Sequence, residues 1–338
     1  MPSLLTTYTL KSVLSLTESK SGEKKLGEIV ELLNPDDSLE HTLADSQAKY
    51  VMFGIPEDLG ILANEGTEGS RNTWEATLKA FVNLQGNSFI KAPKVLLLGH
   101  MNLKKYLDEI DALDGKDKTD AAADLTVQLD KEVTNLVHQI VASGKKPIII
   151  GGGQNNSYGI IKGSSLAMGG AINAINISPV AGFRKRNHRH HKNGFSYAFY
   201  EGFLNRYALF GMQENHVPKK VIKRIKNEDR IKITTYEDLF IRREKGFDYE
   251  LLDMTDFIKP NAFGVEIAFN VIPIASLTSK AVSGFDLDTV RHMVYKLSKP
   301  KNAIYLHISE APIDTNDQIS AERTGNAIAT LISDFIRK

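Results

Sequence analysis

The chain reads as an α/β protein: three layers, with a doubly wound, mostly parallel sheet of about eight strands at the centre. Two observations carry this. Eight short apolar runs recur along the chain, each closed by Gly, Pro, Asn or Ser. Between them lie stretches whose apolar residues repeat with helical spacing. Runs that stay apolar rather than alternating are what strands buried on both faces need, and parallel sheets covered by helices bury both faces. Strand and helix in repeated alternation then argue for one doubly wound sheet.

The runs are residues 49–56 (KYVMFGIP), 94–100 (KVLLLGH), 147–153 (PIIIGGG), 171–178 (AINAINIS), 206–212 (RYALFGM), 230–235 (RIKITT), 262–269 (AFGVEIAF) and 303–309 (AIYLHIS). The clearest helix is 124–141, where Leu125, Leu129, Val133, Leu136, Val137 and Ile140 share one stripe. It is expected to stop at Gly144, with a loop at 113–118 (LDGKDK) before it. Further helices are expected over 72–84, 217–227, 286–297 and 323–336. Residues 1–45 are patterned more weakly and read as an N-terminal extension packed on the sheet, leaving 46–338 as a single domain.

The 338 residues are 42% hydrophobic and 25% charged, the profile of a soluble globular protein, with a formal net charge of +1. That balance argues against nucleic acid or a membrane surface as the main partner. There is no cysteine, which excludes disulfides, a thiol nucleophile and thiolate metal sites. The N-terminus lacks signal-peptide patterning and no run reaches the length of a membrane span, so the expectation is a cytoplasmic protein.

In doubly wound sheets the ligand site lies beyond the carboxyl ends of the strands. That rule points at residues 151–159, 178–193, 266–277 and 310–314. The first reads GGGQNNSYG. Glycines after a strand can cradle phosphate, but no GK[ST] follows and the Gly-x-Gly-x-x-Gly spacing fails at Asn156. A tight turn is the simpler reading. The second contains GFRKRNHRHHK at 182–192, where Arg184, Lys185, Arg186, Arg189 and Lys192 are interleaved with His188, His190 and His191. A solvated basic loop, an anion site and a histidine metal site are all compatible with it.

These segments together resemble the ureohydrolases, the family of arginase, agmatinase and formimidoylglutamase. GGGQNNSYG is similar to the family's first metal motif, AINISPVAGFR at 174–184 to the strand carrying Asp-x-His-x-Asp, GVEIAFNVIPIASLTSKAVSGFD at 264–286 to the Asp-x-Asp segment, and SEAPIDTNDQISAERT at 309–324 to the closing Glu motif. GIPEDLGILANEGTEG at 54–69 and WEATLKAFVNLQ at 74–85 look most like the formimidoylglutamase branch. The resemblance covers about residues 45–338 and implies an arginase-like fold.

It also implies where two manganese ions would be held, and there the residues depart from the family. The first histidine falls on Gln154 and the acid after it on Asn155. The Asp, His and Asp of the second motif fall on Ser178, Val180 and Gly182. The two aspartates of the third fall on Glu266 and Ala268, with Val271 where a further acid often sits. Only Glu266 keeps a carboxylate. Hard divalent cations need carboxylate and imidazole ligands to replace their water, and Val, Gly and Ala offer no donor. Manganese is therefore expected to be absent, and no catalytic residue is assigned.

The resemblance leaves Gln154, Asn155, Arg184, Asn193, Ser196, Glu266 and Glu310 as candidate ligand contacts; Glu310 matches a family glutamate near the substrate's amidine end, and 193–201 (NGFSYAFYE) follows the site as the substrate loop does. Glu57 and Asp58 of GIPED are retained, as fold-holding acids. The expected function is a metal-free homologue that binds a small anionic or amino-acid-like ligand, self-associates or joins an active paralogue. The rival is an active amidine hydrolase, turning N-formimidoyl-L-glutamate into glutamate and formamide, that uses an unforeseen ligand set; a metal-free reaction with Glu266 or Glu310 as base is a third possibility.

Overall fold

The computed structural model describes residues 5–33, 37–90, 95–273 and 282–337. Its strands are β1 (Leu5–Thr6), β2 (Glu31–Leu32), β3 (Tyr50–Gly54), β4 (Val95–Met101), β5 (Lys146–Ile150), β6 (Ile172–Ile177), β7 (Leu204–Met212), β8 (Ile231–Thr235), β9 (Phe263–Ala268) and β10 (Ala303–Ser309). The helices are α1 (Leu10–Ser15), α2 (Leu39–Asp45), α3 (Leu59–Leu62), α4 (Thr73–Val82), α5 (Lys104–Asp111), α6 (Gly115–Ala142), α7 (Ser157–Met168), α8 (Gly194–Tyr200), α9 (Lys219–Lys226), α10 (Phe247–Ile258), α11 (Leu287–Ser298) and α12 (Gln318–Ile336).

All eight apolar runs form strands, β3 to β10. They lie in one sheet ordered β1-β4-β3-β5-β10-β9-β6-β7-β8, with β2 paired to β4. Every pairing is parallel except β1 with β4. The sheet thus has ten strands rather than eight, and the two additions are two-residue strands of the N-terminal segment, too short to show a pattern of their own.

Each face of the sheet is sealed by its own core. Helices α4, α10, α11 and α12 pack on Ile148, Ile150, Ile175, Val265, Leu306 and their neighbours. Helices α6, α7, α8 and α9 pack on the other face, against Val51, Phe53, Leu98, Ile149 and Leu209. Helix α6 is 28 residues long and begins at Gly115, so most of the expected 113–118 loop is its first turn. Asp114 precedes it in an extended conformation, and the tertiary packing of the apolar stripe downstream stabilises a start that LDGKDK does not advertise. Helix α7 was not anticipated: its Gly159 and Gly163 look like breakers. They are there because Cβ atoms would meet the α6 backbone, 3.0 Å from Asp130 O and 2.5 Å from Thr134 O. Among the described residues no helix is long and apolar enough to cross a membrane.

Candidate functional site

The carboxyl ends of β5, β6, β9 and β10 meet around a cavity of about 400 Å³, whose polar lining includes Gln154, His191, Lys192, His216, Asn270 and Glu310. Thr67, Ser70 and Glu65 close the side nearest β3.

The glycine triplet is a turn held by a buried acid. Gly151 and Gly152 have φ of +99° and +70°, a region that favours glycine. A Cβ on Gly152 would lie 2.4 Å from both Asn156 Nδ2 and Glu57 Oε1. Glu57, fully buried, accepts bonds from Gly153 N (3.0 Å), Asn155 Nδ2 (3.2 Å), Asn156 Nδ2 (2.7 Å) and Leu59 N (2.5 Å). Burial pushes its carboxyl up to about 7 while those N–H groups pull the other way. Asp58 accepts from Gly69 N, Ser70 N and Arg71 Nε. Both acids of GIPED therefore hold loops.

On the cavity wall stands Glu310, a non-glycine residue at φ +58°. Such strained positions gather at functional sites because the surrounding structure has to hold them. Its Oε1 accepts from Gln154 N at 2.7 Å and faces His191 Nδ1 at 2.9 Å. Burial alone would raise the Glu310 carboxyl, but His191, the Gln154 N–H and Lys192 hold it below the usual range. Lys192 is itself lowered, by burial and by Arg184 beside it.

The basic segment divides into two populations. Lys185, Arg186 and His188 are exposed, whereas Arg189, His190 and His191 are buried. Arg189 makes a bidentate pair with Asp130 of α6, Nε–Oδ2 2.7 Å and Nη2–Oδ1 3.0 Å, and donates to Asn193 Oδ1 and Asn155 O. Its guanidinium lies between the Tyr158 and Tyr197 rings, at 5.1 and 4.9 Å. The part of this segment that a solvated loop would leave in water is thus an internal anchor.

His190 accepts from Lys192 N through Nδ1 at 3.1 Å, and burial, then the charges of its neighbours, push it down to about 3. Its folded state excludes a proton that the unfolded chain takes up near the ordinary histidine value. Stability should consequently be independent of His190 above about pH 7.5 and fall as pH drops from about 6.5 toward 3. The H190N variant keeps an acceptor there. Its denaturant midpoint should fall less steeply over that window, by up to about 2 kcal/mol near pH 4; parallel pH profiles would refute this.

Glu266 points away from the cavity into the layer beneath α7. Its register neighbours are Asn176 on β6 and His307 on β10. Oε1 accepts from Tyr305 OH at 2.8 Å; Oε2 accepts from Ser157 Oγ at 2.8 Å and faces His307 Nδ1 at 2.6 Å. The Tyr305 ring reaches it across Gly264, where a Cβ would come within 1.9 Å of Tyr305 Cζ. Above this cluster runs a neutral chain: Gln154 Nε2 donates to Asn176 Oδ1, Asn176 Nδ2 to Tyr207 OH, and Tyr207 OH to Ala181 O, each at 2.8 Å.

The remaining ligand positions fit no cation. Ser178 is fully buried and its Oγ accepts from Val180 N at 3.2 Å, closing a turn. Val180 lines the cavity with a hydrocarbon face. Gly182 has φ +57°, and a Cβ there would sit 2.5 Å from the Phe195 ring, so the packing leaves no room for an aspartate side chain. Ala268 is buried and carries no donor. Among the described residues no group of three or more His, Asp or Glu side chains could hold a metal ion. The residues present therefore do not suit a pair of manganese ions.

Of the seven candidate contacts, Gln154 and Glu310 line the cavity. Arg184 lies next to it, its N–H bonded to Lys192 O. Asn155, Asn193, Ser196 and Glu266 are wholly buried and bonded internally. Residues 274–277, the end of the third expected site segment, fall outside the described residues. Sequence reasoning passed over Asn270 and His216 in the cavity, and His307, Tyr305 and Asn176 beneath it. Polar residues inside otherwise apolar strand runs, AIYLHIS and AINAINIS, were the available signal.

A sheet of this order with its cleft at the β5, β6, β9 and β10 ends defines a ureohydrolase fold. The chain belongs to the arginase family, whose model matches residues 48–336. Among solved structures it is similar to formiminoglutamase of Trypanosoma cruzi with manganese (TM-score 0.70, 15% identity, 93% of this chain and 97% of that one). It is also similar to formimidoylglutamase of Bacillus subtilis (0.73, 14%, 94% and 92%) and to agmatine ureohydrolase of Thermoplasma volcanium (0.63, 18%, 89% and 94%). Identities this low speak for the fold alone. Comparison with curated protein sequences gives no match.

Proposed function

We propose that this chain is a non-catalytic cytoplasmic member of the arginase family that works without manganese, binding a small ligand in its cleft or serving as a partner subunit. One observation carries the reading: Glu266, the only carboxylate kept at the six ligand positions, is turned from the cavity and satisfied by Ser157, Tyr305 and His307. Without the metals there is no bridging hydroxide of lowered pKa to attack an amidine carbon. Loss of the acids together with the ions also spares the interior a set of unpaired carboxylates.

The cavity suits a small dipolar or anionic molecule. Glu65 and Glu310 stand on its walls together with Lys192 and His216, so opposite charges are both on offer. Manganese titration tests the proposal. Protein dialysed against excess manganese should carry no stoichiometric metal and should not hydrolyse formimidoylglutamate, arginine or agmatine. About two manganese per chain with turnover would overturn it. That result would favour an amidine hydrolase instead, for which one observation speaks: Glu310 and His191 stand side by side on the cavity wall. For the binding reading, a thermal-shift series of amino acids and small carboxylates should show saturable stabilisation that E310Q abolishes.

A further inference from the structure

A second concavity lies outside the cleft. It is a groove of about 710 Å³ along the seam of α6 and α7, bordered by residues 187–189, by Tyr197 of α8 and by Glu201 just after it. Tyr158, Lys162 and Leu166 of α7 are spaced four residues apart and so share one face of their helix. Asp124, Val127 and Lys131 share a face of α6 in the same way.

The floor is aromatic and is fixed from within. The Arg189 guanidinium, paired with Asp130, sits 5.1 Å from the Tyr158 ring and 4.9 Å from that of Tyr197. The two rings meet edge to face, their centroids 6.0 Å apart. Val127 and Leu166, which also line the groove, stand exposed. A planar apolar body laid among these four side chains would take their hydrocarbon surface out of water.

The polar part of the groove is dipolar. Tyr158 OH donates to Glu201 Oε2 at 2.6 Å and accepts from Lys162 Nζ at 3.0 Å. Burial, then Glu201, push the phenol up, so it keeps the proton that it donates. Lys162 and Glu201 thus flank one hydroxyl, yet among the described residues neither has an ion pair. Asp124 and Lys131 add one further charge of each sign, so the lysines and acids facing the groove balance once the Arg189–Asp130 pair is set aside. A ligand of one sign would leave half of these groups unmet, whereas a zwitterion can meet both kinds.

We propose that this groove is a binding site for an aromatic zwitterion with the size and charge of an aromatic amino acid. Its ammonium meets Glu201, its carboxylate meets Lys162, and its ring lies on Tyr158 and Tyr197 beside Val127 and Leu166. The site is separate from the cleft and reaches it through Arg189, whose Nη2 donates to Asn155 O next to Gln154.

The probe is L-tryptophan, titrated into the full chain by isothermal calorimetry beside tryptamine and indole-3-propionate, which lack its carboxylate and its ammonium respectively. Tryptophan should bind saturably, one per chain. Each analogue should bind at least about tenfold more weakly, having lost one charge-assisted contact. The analogues need no mutation, so this comparison does not depend on a variant folding. E201Q should bring tryptophan down to the level of indole-3-propionate, and K162M to that of tryptamine. E310Q, which should remove binding in the cleft, should leave tryptophan binding unchanged. No saturation below about 10 mM tryptophan would overturn the proposal. So would analogues that bind as tightly as tryptophan, and so would binding lost in E310Q but kept in E201Q and K162M, which would place the ligand in the cleft.

Discussion

Replacing Asp130 by alanine should cost about 3–5 kcal/mol of unfolding free energy, because it leaves the Arg189 guanidinium charged and unpaired inside the protein. Arg189 is buried, and both of its bonds to Asp130 disappear together. Its remaining contacts, Asn193 Oδ1, the Asn155 carbonyl and the two tyrosine rings, cannot neutralise it. Equilibrium denaturation measures the loss. The effect should also be local. Arg189 fastens the 184–193 segment to α6, and that segment supplies His191 and Lys192 to the cavity. Hydrogen exchange in the segment should therefore accelerate more in D130A than in the body of the sheet. Should D130A cost less than about 1 kcal/mol, the pair would be an ornament of the fold rather than its anchor.

The second large effect is expected at Glu266. E266A should destabilise the protein by about 3–5 kcal/mol, since it strands His307, Tyr305 and Ser157 in the interior and opens a cavity between β9 and α7. E266Q should cost less, because its amide keeps the volume and can still accept from Tyr305. The same pair of variants bears on function. If Glu266 were the last ligand of a working metal site, E266Q would abolish activity and leave stability nearly intact. A structural Glu266 gives the reverse: both variants shift the denaturant midpoint, and ligand-dependent stabilisation through the cavity persists. Calorimetry on ligand-bound and free protein separates the two outcomes.

How much of this molecule is written in its sequence differs from element to element. The eight long strands are legible because a strand buried on both faces must be mostly apolar, as runs such as KYVMFGIP and KVLLLGH are; the edge strand at RIKITT, half-exposed, is the most polar of them. The lack of donor atoms at Val180, Gly182 and Ala268 is legible for a different reason: coordination needs particular atoms, and a residue either has them or lacks them. Helix α7 was obscured because propensity marks glycines as breakers, yet Gly159 and Gly163 are what let it lie close against α6. The strands β1 and β2 take their conformation from pairing with β4 and have nothing of their own to reveal it.

The sequence by itself determined the parallel α/β fold and the family. Tertiary structure alone decided which charges belong to the interior. Within GFRKRNHRHHK it buried Arg189, His190 and His191 and left Lys185, Arg186 and His188 in water. It also turned Glu266 away from the cleft and set Glu310 upon it. The physical reason is that a charge can be buried only where a partner from a distant part of the chain meets it. Asp130 lies 59 residues from Arg189, and His307 lies 41 from Glu266. Such meetings are made by the packing of α6, β9 and β10, and no local pattern announces them.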